Sequence, residues 1–471
     1  MKRTFICIAA LLVCLAVVPS ASAQWSSDPA QNLPLADNNN GSDQVQPKVR
    51  ALSNGDWYVS WFDADPSDPN PGYDVFLQRL NAAGYEQFPH GGILVADLTN
   101  SSTEDYGLDI DVNGNALLAF LDTRESENWQ VTAAKMDKFG NALWGTNGVQ
   151  LTNGPKRPYF APKITGTNDG NVVVAWTSKN VVMVQKLDPN GNPLWPHPIR
   201  FSEAGYNYLL ADLHAADNGS VIVSWERDNG FFSDHQLRAN KLSSTGKKMW
   251  GKNNVTIFDE GSLQFGEFPY FILDGSGGAI FAWYTNGPTL QCFAQHIRAD
   301  GSEAFPHNGS PASTNLNNVR VDPSVSYNPA TDETFLFWTE EDQFQTVNGV
   351  YGQKFDGTGA PQWTDTGLIL VPLGSDQQSF VENVQLKNGV LVFWVDSPGY
   401  GVSTMQAAKL SPTGHRLCAP FPVSSTPSNK YRLSVGTAPR GLSAVSWTDD
   451  RIGNNAIYIQ NVNSNCSLGQ K

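Results

Sequence analysis

Leu108-Asp109-Ile110-Asp111-Val112-Asn113-Gly114-Asn115-Ala116-Leu117-Leu118-Ala119-Phe120 is the stretch from which the architecture follows. Residues 108–112 alternate apolar and polar side chains, the period of a half-buried strand. Asn113-Gly114 reads as a two-residue hairpin turn, because both residues accept positive φ. Ala116 to Phe120 is then an apolar second strand ending in an aromatic. Beyond a polar loop, Val131 to Met136 reads as a third strand and a turn ends at Gly140. Trp144 follows four residues later, and Val149-Gln150-Leu151 is a fourth strand.

The same phrase recurs along the chain. The aromatic that ends the second strand is Trp61, Phe120, Trp176, Trp225, Trp283, Trp338, Trp394 and Trp447 in turn, with a mean step of about 55 residues. The first turn recurs as Asn54-Gly55, Asp169-Gly170, Asn218-Gly219, Gly277-Gly278, Asn388-Gly389 and Arg440-Gly441, and only the sixth unit departs from it, with Thr331-Asp332-Glu333. The later glycine recurs at Gly84, Gly191, Gly246, Gly301, Gly359 and Gly414, and Phe88, Trp195, Trp250, Phe305 and Trp363 stand four residues beyond it. In the seventh unit that aromatic slot holds Cys418, and in the eighth the glycine slot holds Cys466.

The eighth unit lacks a fourth strand after Ile457-Tyr458-Ile459-Gln460, and Leu33-Pro34-Leu35-Ala36 near the start has the missing character. Pairing the two closes a ring and removes two open sheet edges. Pro34 is tolerated there because an outermost strand need not donate on both sides. The expected fold is therefore all-β: a single eight-bladed β-propeller of four-stranded antiparallel blades, closed by the N-terminal strand completing the last blade.

With its Trp-x-Asp strand ends (Trp394-Val395-Asp396, Trp447-Thr448-Asp449) and Gly-x-x-x-Trp segments, the chain resembles the secreted bacterial β-propeller proteins. The resemblance spans residues 24–471 and implies architecture alone. Such propellers include lectins, polysaccharide lyases, glycosidases and interaction scaffolds, so function has to come from the site. The sialidase Asp-box and the WD-repeat signature are absent.

Residues 1–23 read as a secretory signal, with Lys2 and Arg3, an apolar run from Ile6 to Val18 and the small-residue cleavage site Ala21-Ser22-Ala23. The alternative lipobox at Cys14 lacks a small residue at Val13. The expected location is thus secreted or periplasmic, with no transmembrane segment. A formal net charge of −14 argues against nucleic acid as a partner. In an oxidising compartment Cys292, among apolar strand residues, reads as a buried thiol, and a Cys418–Cys466 bridge is left open.

In a propeller, alternate residues of each innermost strand face the central channel. Setting the apolar residues between blades leaves Lys48, Arg50, Asp109, Asp111, Lys163, Thr165, Asp212 and His214 from the first four units. The last four contribute Tyr270, Ile272, Ser324, Ser326, Asn383, Gln385, Arg432 and Ser434. The loops after the second strand carry Asp63, Asp65 and Asp68; Asp122, Arg124 and Glu125; Glu340, Glu341 and Asp342; Asp396; and Asp449, Asp450 and Arg451. These loops gather on one face, so an acidic rim is expected around the channel mouth. The expected ligand-binding set is Asp63, Asp109, Asp111, Asp122, Arg124, Lys163, Asp212, His214, Tyr270 and Arg432.

No catalytic residue, metal or cofactor is expected. The seven histidines show no metal-ligand spacing. Asp109 to Gly114 resembles the opening of a calcium loop, but its twelfth position is Phe120 where an EF-hand needs Glu. The expected function is a non-enzymatic binding module, monomeric, for a glycan or an extracellular protein. The alternatives are a polysaccharide-active enzyme with its site at the channel mouth, for which Tyr270, His214, Lys163 and Arg432 are the candidate lyase groups, and a structural envelope component.

Overall fold

A computed structural model describes residues 24–38, 40–67, 72–98, 105–124, 129–153, 159–287 and 289–470. The secretory leader read from residues 1–23 lies outside the described residues, as do Asp68 and Glu125. Among the described residues the strands form eight antiparallel sheets, and the only helical elements are the single turns Asp217–Gly219 and Pro439–Gly441. The sheets are numbered as blades 1 to 8 in chain order. Their innermost strands adjoin one another all the way round, including blade 8 against blade 1.

Blade 4 shows the plan. Its strands Asn207–Ala215, Val221–Asp228, Gln236–Leu242 and Val255–Phe258 pair in sequence order from the axis outward. The turns after strands one and three therefore lie on a lower face, and the loops after strands two and four on an upper face. Blade 8 is composite: Lys430–Ala438, Leu442–Asp449 and Ala456–Val462 are completed by Leu33–Ala36, with Leu33 opposite Ile459 and Pro34 opposite Tyr458. Blade 5 departs from the plan. Its innermost strand is broken into Ser262–Leu263 and Phe271–Leu273.

The repeated aromatics are packing anchors between blades. Trp225 is fully buried in a cluster that joins Val173, Val184 and Phe201 of blade 3 to Tyr208, Leu213 and Val223 of blade 4. The repeated glycine has two causes. Gly301 sits at φ +88°, and a Cβ there would fall 2.8 Å from the Trp250 ring of the preceding blade. Gly246 repeats the arrangement against Trp195, and Gly84 against Trp25, which carries the contact across the ring closure. The indole N–H groups of Trp25, Trp144 and Trp250 each donate to a carbonyl of the next blade's turn, at 3.0 Å.

Between blades 7 and 8 the glycine–aromatic contact is replaced by a covalent one. Cys418 and Cys466 are disulfide-bonded with Cα atoms 6.5 Å apart, and Cys466 keeps the glycine-like φ of 70°. Cys292 is buried and free, as expected.

A second fastening was not visible in the strand pattern. The penultimate residue of the third strand is Arg79, Lys135, Lys186, Lys241, His296 or Lys354 in blades 1 to 6. Each pairs with an acid of its own blade's first hairpin: Asp56, Asp111, Asp169, Asp217, Asp274 and Glu333 respectively. Lys186 and Lys241 also donate to Gly219 O and Gly277 O of the next blade, at 2.9 and 2.8 Å. One cation thus holds its own turn and its neighbour's.

Candidate functional site

The axial channel is built by the innermost strands, and their register decides which side chains reach it. A β-bulge interrupts these strands near their upper ends, between Val45 and Lys48, Phe160 and Lys163, Leu210 and Asp212, Val321 and Ser324, Ser379 and Glu382, and Tyr431 and Ser434. Bulges re-aim side chains in this way. Just below them lies one ring of positions, six or seven residues before the first hairpin turn: Lys48, Gly107, Lys163, Asp212, Tyr270, Ser324, Glu382 and Ser434. A cavity of about 400 Å³ at the axis is lined by Lys163, Asp212, Tyr270, Ser324, Glu382 and Ser434 of this ring, together with Arg50, His214 and Asn383.

Of the expected binding residues, Lys163, Asp212, His214 and Tyr270 line this cavity. Asp109 stands on the channel wall, 3.6 Å from the Arg50 guanidinium, and accepts a 2.6 Å hydrogen bond from Thr165 Oγ1. The others go elsewhere. Asp111 is a hairpin residue: it accepts the amides of Asn113 and Asn115, both at 2.9 Å, and pairs with Lys135 at 2.8 Å. An Asp two residues before Asn-Gly caps its own turn, and that local bond outweighs strand alternation. Arg432 is the bulge residue, at φ 57°, and is exposed outside the cavity. The extra residue at a bulge breaks the period of two on which its assignment rested.

Asp63, Asp122 and Arg124 do not form an open acidic rim. Asp63 and Asp122 are buried. Gln44 Nε2 donates to Asp63 at 3.2 Å, and Arg124 binds both oxygens of Asp122. Glu340 and Asp449 are buried too, against Arg320 and against Lys430 and Arg451. Each acid lies two residues beyond its blade's aromatic anchor, so strand alternation turns it to the same inter-blade side. Trp338 and Trp447 donate their indole N–H to Glu340 and Asp449 at 2.7 Å.

The channel cations lie on one side, paired with carboxylates, and Glu382 stands across the axis from them. Gly107 leaves a gap in the ring between blades 1 and 3, and the Asp105 carboxylate fills it, bound to Lys48 at 2.7 Å and to Lys163. Burial opposes ionisation of Asp105, but Lys163 and Lys48 hold its carboxyl far below the usual range. Asp212 is likewise held low despite its burial, by His214 at 2.9 Å and by Lys163. Across the axis Glu382 has no ion pair among the described residues, and Ser324 Oγ donates to it at 3.1 Å. Burial pushes the Glu382 carboxyl up to about 7, against the Ser324 hydrogen bond, and the charge of Asp322 adds to the rise.

Glu382 and Asp105 were both missed in the sequence. For blade 7 the expected pair was Asn383 and Gln385; Asn383 does line the cavity, but Glu382 beside it is the ring residue and Gln385 lies outside the lining. Counting six residues back from Asn388, as Lys48 lies six before Asn54, reaches Glu382. Asp105 lies above the Gly107 gap and no repeat position marks it.

A pH effect follows. The folded Glu382 carboxyl titrates near 7, well above the unfolded value of about 4.3. Between those values the native state holds a proton that the unfolded chain has released. This group's contribution to stability therefore falls as pH rises through that window. Urea unfolding of wild type and Glu382→Gln between pH 4.5 and 7.5 should show the difference between them changing in that direction; parallel pH profiles would remove Glu382 as its source.

The upper face carries a second feature. Phe231 and Phe232, in the loop after strand two of blade 4, stand 61% and 98% exposed. Phe231 packs on exposed Phe265, with ring centroids 4.4 Å apart, in the segment that breaks the inner strand of blade 5, and Phe268 is exposed in the same segment. Phe344 of blade 6 and Tyr400 of blade 7 project from the equivalent loops, 73% and 94% exposed. These aromatics escaped the strand pattern because they lie in loops that no two blades share.

With no family model matching the chain and no curated protein matching it in sequence, similarity is confined to solved structures. The Dos1 propeller is 11% identical and aligns with a TM-score of 0.49 over 90% of this chain and 95% of its own. The β-propeller domain of the trilobed protease from Pyrococcus furiosus is 8% identical, with a TM-score of 0.42 over 81% and 96%. Prolyl oligopeptidase B from Galerina marginata is 11% identical, with a TM-score of 0.46 over 88% of this chain and 56% of that protein. The chain is a β-propeller, and these likenesses extend to the fold alone.

Proposed function

We propose that this propeller is a non-enzymatic binding module working outside the cytoplasm, which takes a protein partner on the upper face of blades 4 to 7. The observation that carries the reading is the set of exposed aromatic side chains held there by a rigid ring: Phe231, Phe232, Phe265, Phe268, Phe344 and Tyr400. Exposed apolar surface on this scale marks an interaction site, and aromatic anchors dominate protein interfaces. Phenylalanine offers a sugar no hydrogen bond, so a protein surface suits five of these six rings better than a glycan. The Cys418–Cys466 bridge supports an oxidising compartment, and no helix among the described residues is long and apolar enough to cross a membrane.

The enzyme reading draws on Tyr270, His214, Lys163 and Arg50 in one cavity, a lyase-like set. Their states work against it. Burial pushes the Tyr270 phenol far above its ordinary value, and its oxygen already accepts the amide of Val325 at 3.1 Å. A phenolate base is disfavoured there.

The test is photo-crosslinking from position 232 in the native extracellular extract, with a glycan array and an assay for unsaturated uronates alongside. A specific protein adduct, lost on Phe231→Ser/Phe265→Ser, is the expected result. Turnover of a glycan, or glycan binding that survives those substitutions, would sink the proposal.

A further inference from the structure

We propose a divalent transition-metal site at Glu226, Asp228 and His235, at the base of the loop that presents Phe231 and Phe232. Glu226 and Asp228 are alternate residues at the end of strand two of blade 4, so both point to one side of the sheet. His235 returns from the loop beside them. One ligand atom from each residue lies within 4.8 Å of the other two, and all three residues are buried.

Two features point to a cation rather than to simple packing. The first is charge. Glu226 is 2% exposed and Asp228 4% exposed, yet among the described residues the only cationic partner of either is the single imidazole, which contacts Glu226. Asp228 Oδ1 accepts Asn207 Nδ2 at 2.7 Å and the Gly230 amide at 2.8 Å, whereas its Oδ2 has no donor among the described residues. Two carboxylates on buried residues beside one imidazole leave an excess of negative charge, which is costly unless a cation meets it.

The second feature is the orientation of the imidazole. His235 Nε2 lies 3.3 Å from the Phe231 carbonyl oxygen, an acceptor, which places a ring hydrogen on Nε2. Nδ1 contacts Glu226 Oε1 through the other ring proton, and an ion bound between them takes the place of that proton while Nε2–H keeps its carbonyl. An imidazole that gives its far N–H to a backbone carbonyl and turns its other nitrogen to carboxylates is the arrangement of a metal ligand with its supporting shell. One imidazole nitrogen with two carboxylate oxygens suits Zn²⁺ or Mn²⁺ better than Ca²⁺. Three protein ligands leave coordination positions for water. The ion's role is to tie the strand end to the loop that displays the aromatic pair, in place of the absence of metals expected from the histidine spacing.

The site is tested without reference to any partner, so its failure leaves the binding-module reading standing. The full chain is stripped with a chelating resin and titrated with Zn²⁺, and separately with Mn²⁺ and Ca²⁺. Bound metal is counted by elemental analysis and Tm is followed. The expected result is one Zn²⁺ or Mn²⁺ per chain, with Tm raised by several degrees and little response to Ca²⁺. His235→Ala and Asp228→Asn should each abolish both effects, while His90→Ala, on the rim of blade 1, should leave them unchanged. A stripped wild-type chain that takes up neither ion, or uptake that persists in both His235→Ala and Asp228→Asn, would overturn the site and leave His235 as the proton-bearing partner of Glu226.

Discussion

Trp225→Ala lowers the unfolding free energy by about 3–5 kcal/mol, the range for truncating a large buried aromatic. The ring is fully buried between two blades, with its centroid 4.5 Å from that of Phe201 and 5.4 Å from that of Tyr208. Its indole N–H finds no acceptor among the described residues, so what is lost is packing and the cavity left behind. The position two residues on is Arg227, which pairs with Glu203, where blades 6 and 8 have the accepting carboxylates Glu340 and Asp449. Urea unfolding measures the loss. An unchanged midpoint together with lost partner binding would return the ring to a role in recognition.

Removing the Cys418–Cys466 bridge, by reduction or in a Cys418→Ser/Cys466→Ser variant, lowers stability by about 4 kcal/mol. That figure comes from loop closure in the unfolded chain for a sequence separation of 48 residues. The bridge lies beside the seam where the ring is closed by strand pairing between its two ends. The N-terminal segment is fastened there a second time, to the outer strand of blade 7. Ser425 N donates to Pro29 O at 2.9 Å, Thr426 Oγ1 to Ala30 O at 3.0 Å, and Asn32 Nδ2 to Val423 O at 2.9 Å. Loss of the bridge should therefore raise hydrogen exchange first in residues 29–36 and 457–460. Exchange that rises evenly over all blades would show that the seam is no weaker than the other interfaces.

The two substitutions probe one design at different places. Blades meet through an apolar layer above and through the glycine–aromatic contact below. At the last joint a covalent bond takes the place of the second. Cys418 stands where an aromatic belongs and Cys466 where a glycine belongs, so the repeat placed both ends of the bridge at one interface although neither cysteine shows its partner.

The fold was legible because it is written eight times. Strand alternation, Asn-Gly turns and the Gly-x-x-x-Trp spacing depend on local backbone chemistry: positive φ at the turns and a period of two between them. A ring built from such units then leaves the N-terminal strand one place to pair. The site was legible only in part, and each error has a physical source. Arg432 was misplaced, and Glu382 passed over, at bulged strands, where an extra residue alters the register. Asp111 was drawn into its own turn. Asp63 and Asp122 followed their aromatic anchors into the blade interface. Glu226, Asp228 and His235 share no repeat position and come together because one loop folds back on its strand.

What the sequence determined alone is the number of blades, their strand order and the closure, since these follow from short-range patterns repeated until only one global arrangement satisfies them. What the tertiary structure decided is which polar groups meet: Asp105 between Lys48 and Lys163, Glu382 without an ion pair across the axis, Phe231 against Phe265. Those encounters depend on bulges and on loops of unequal length. The bulges recur but leave no mark in strand alternation, and the loops differ from blade to blade, so no internal repetition announces where they bring a side chain.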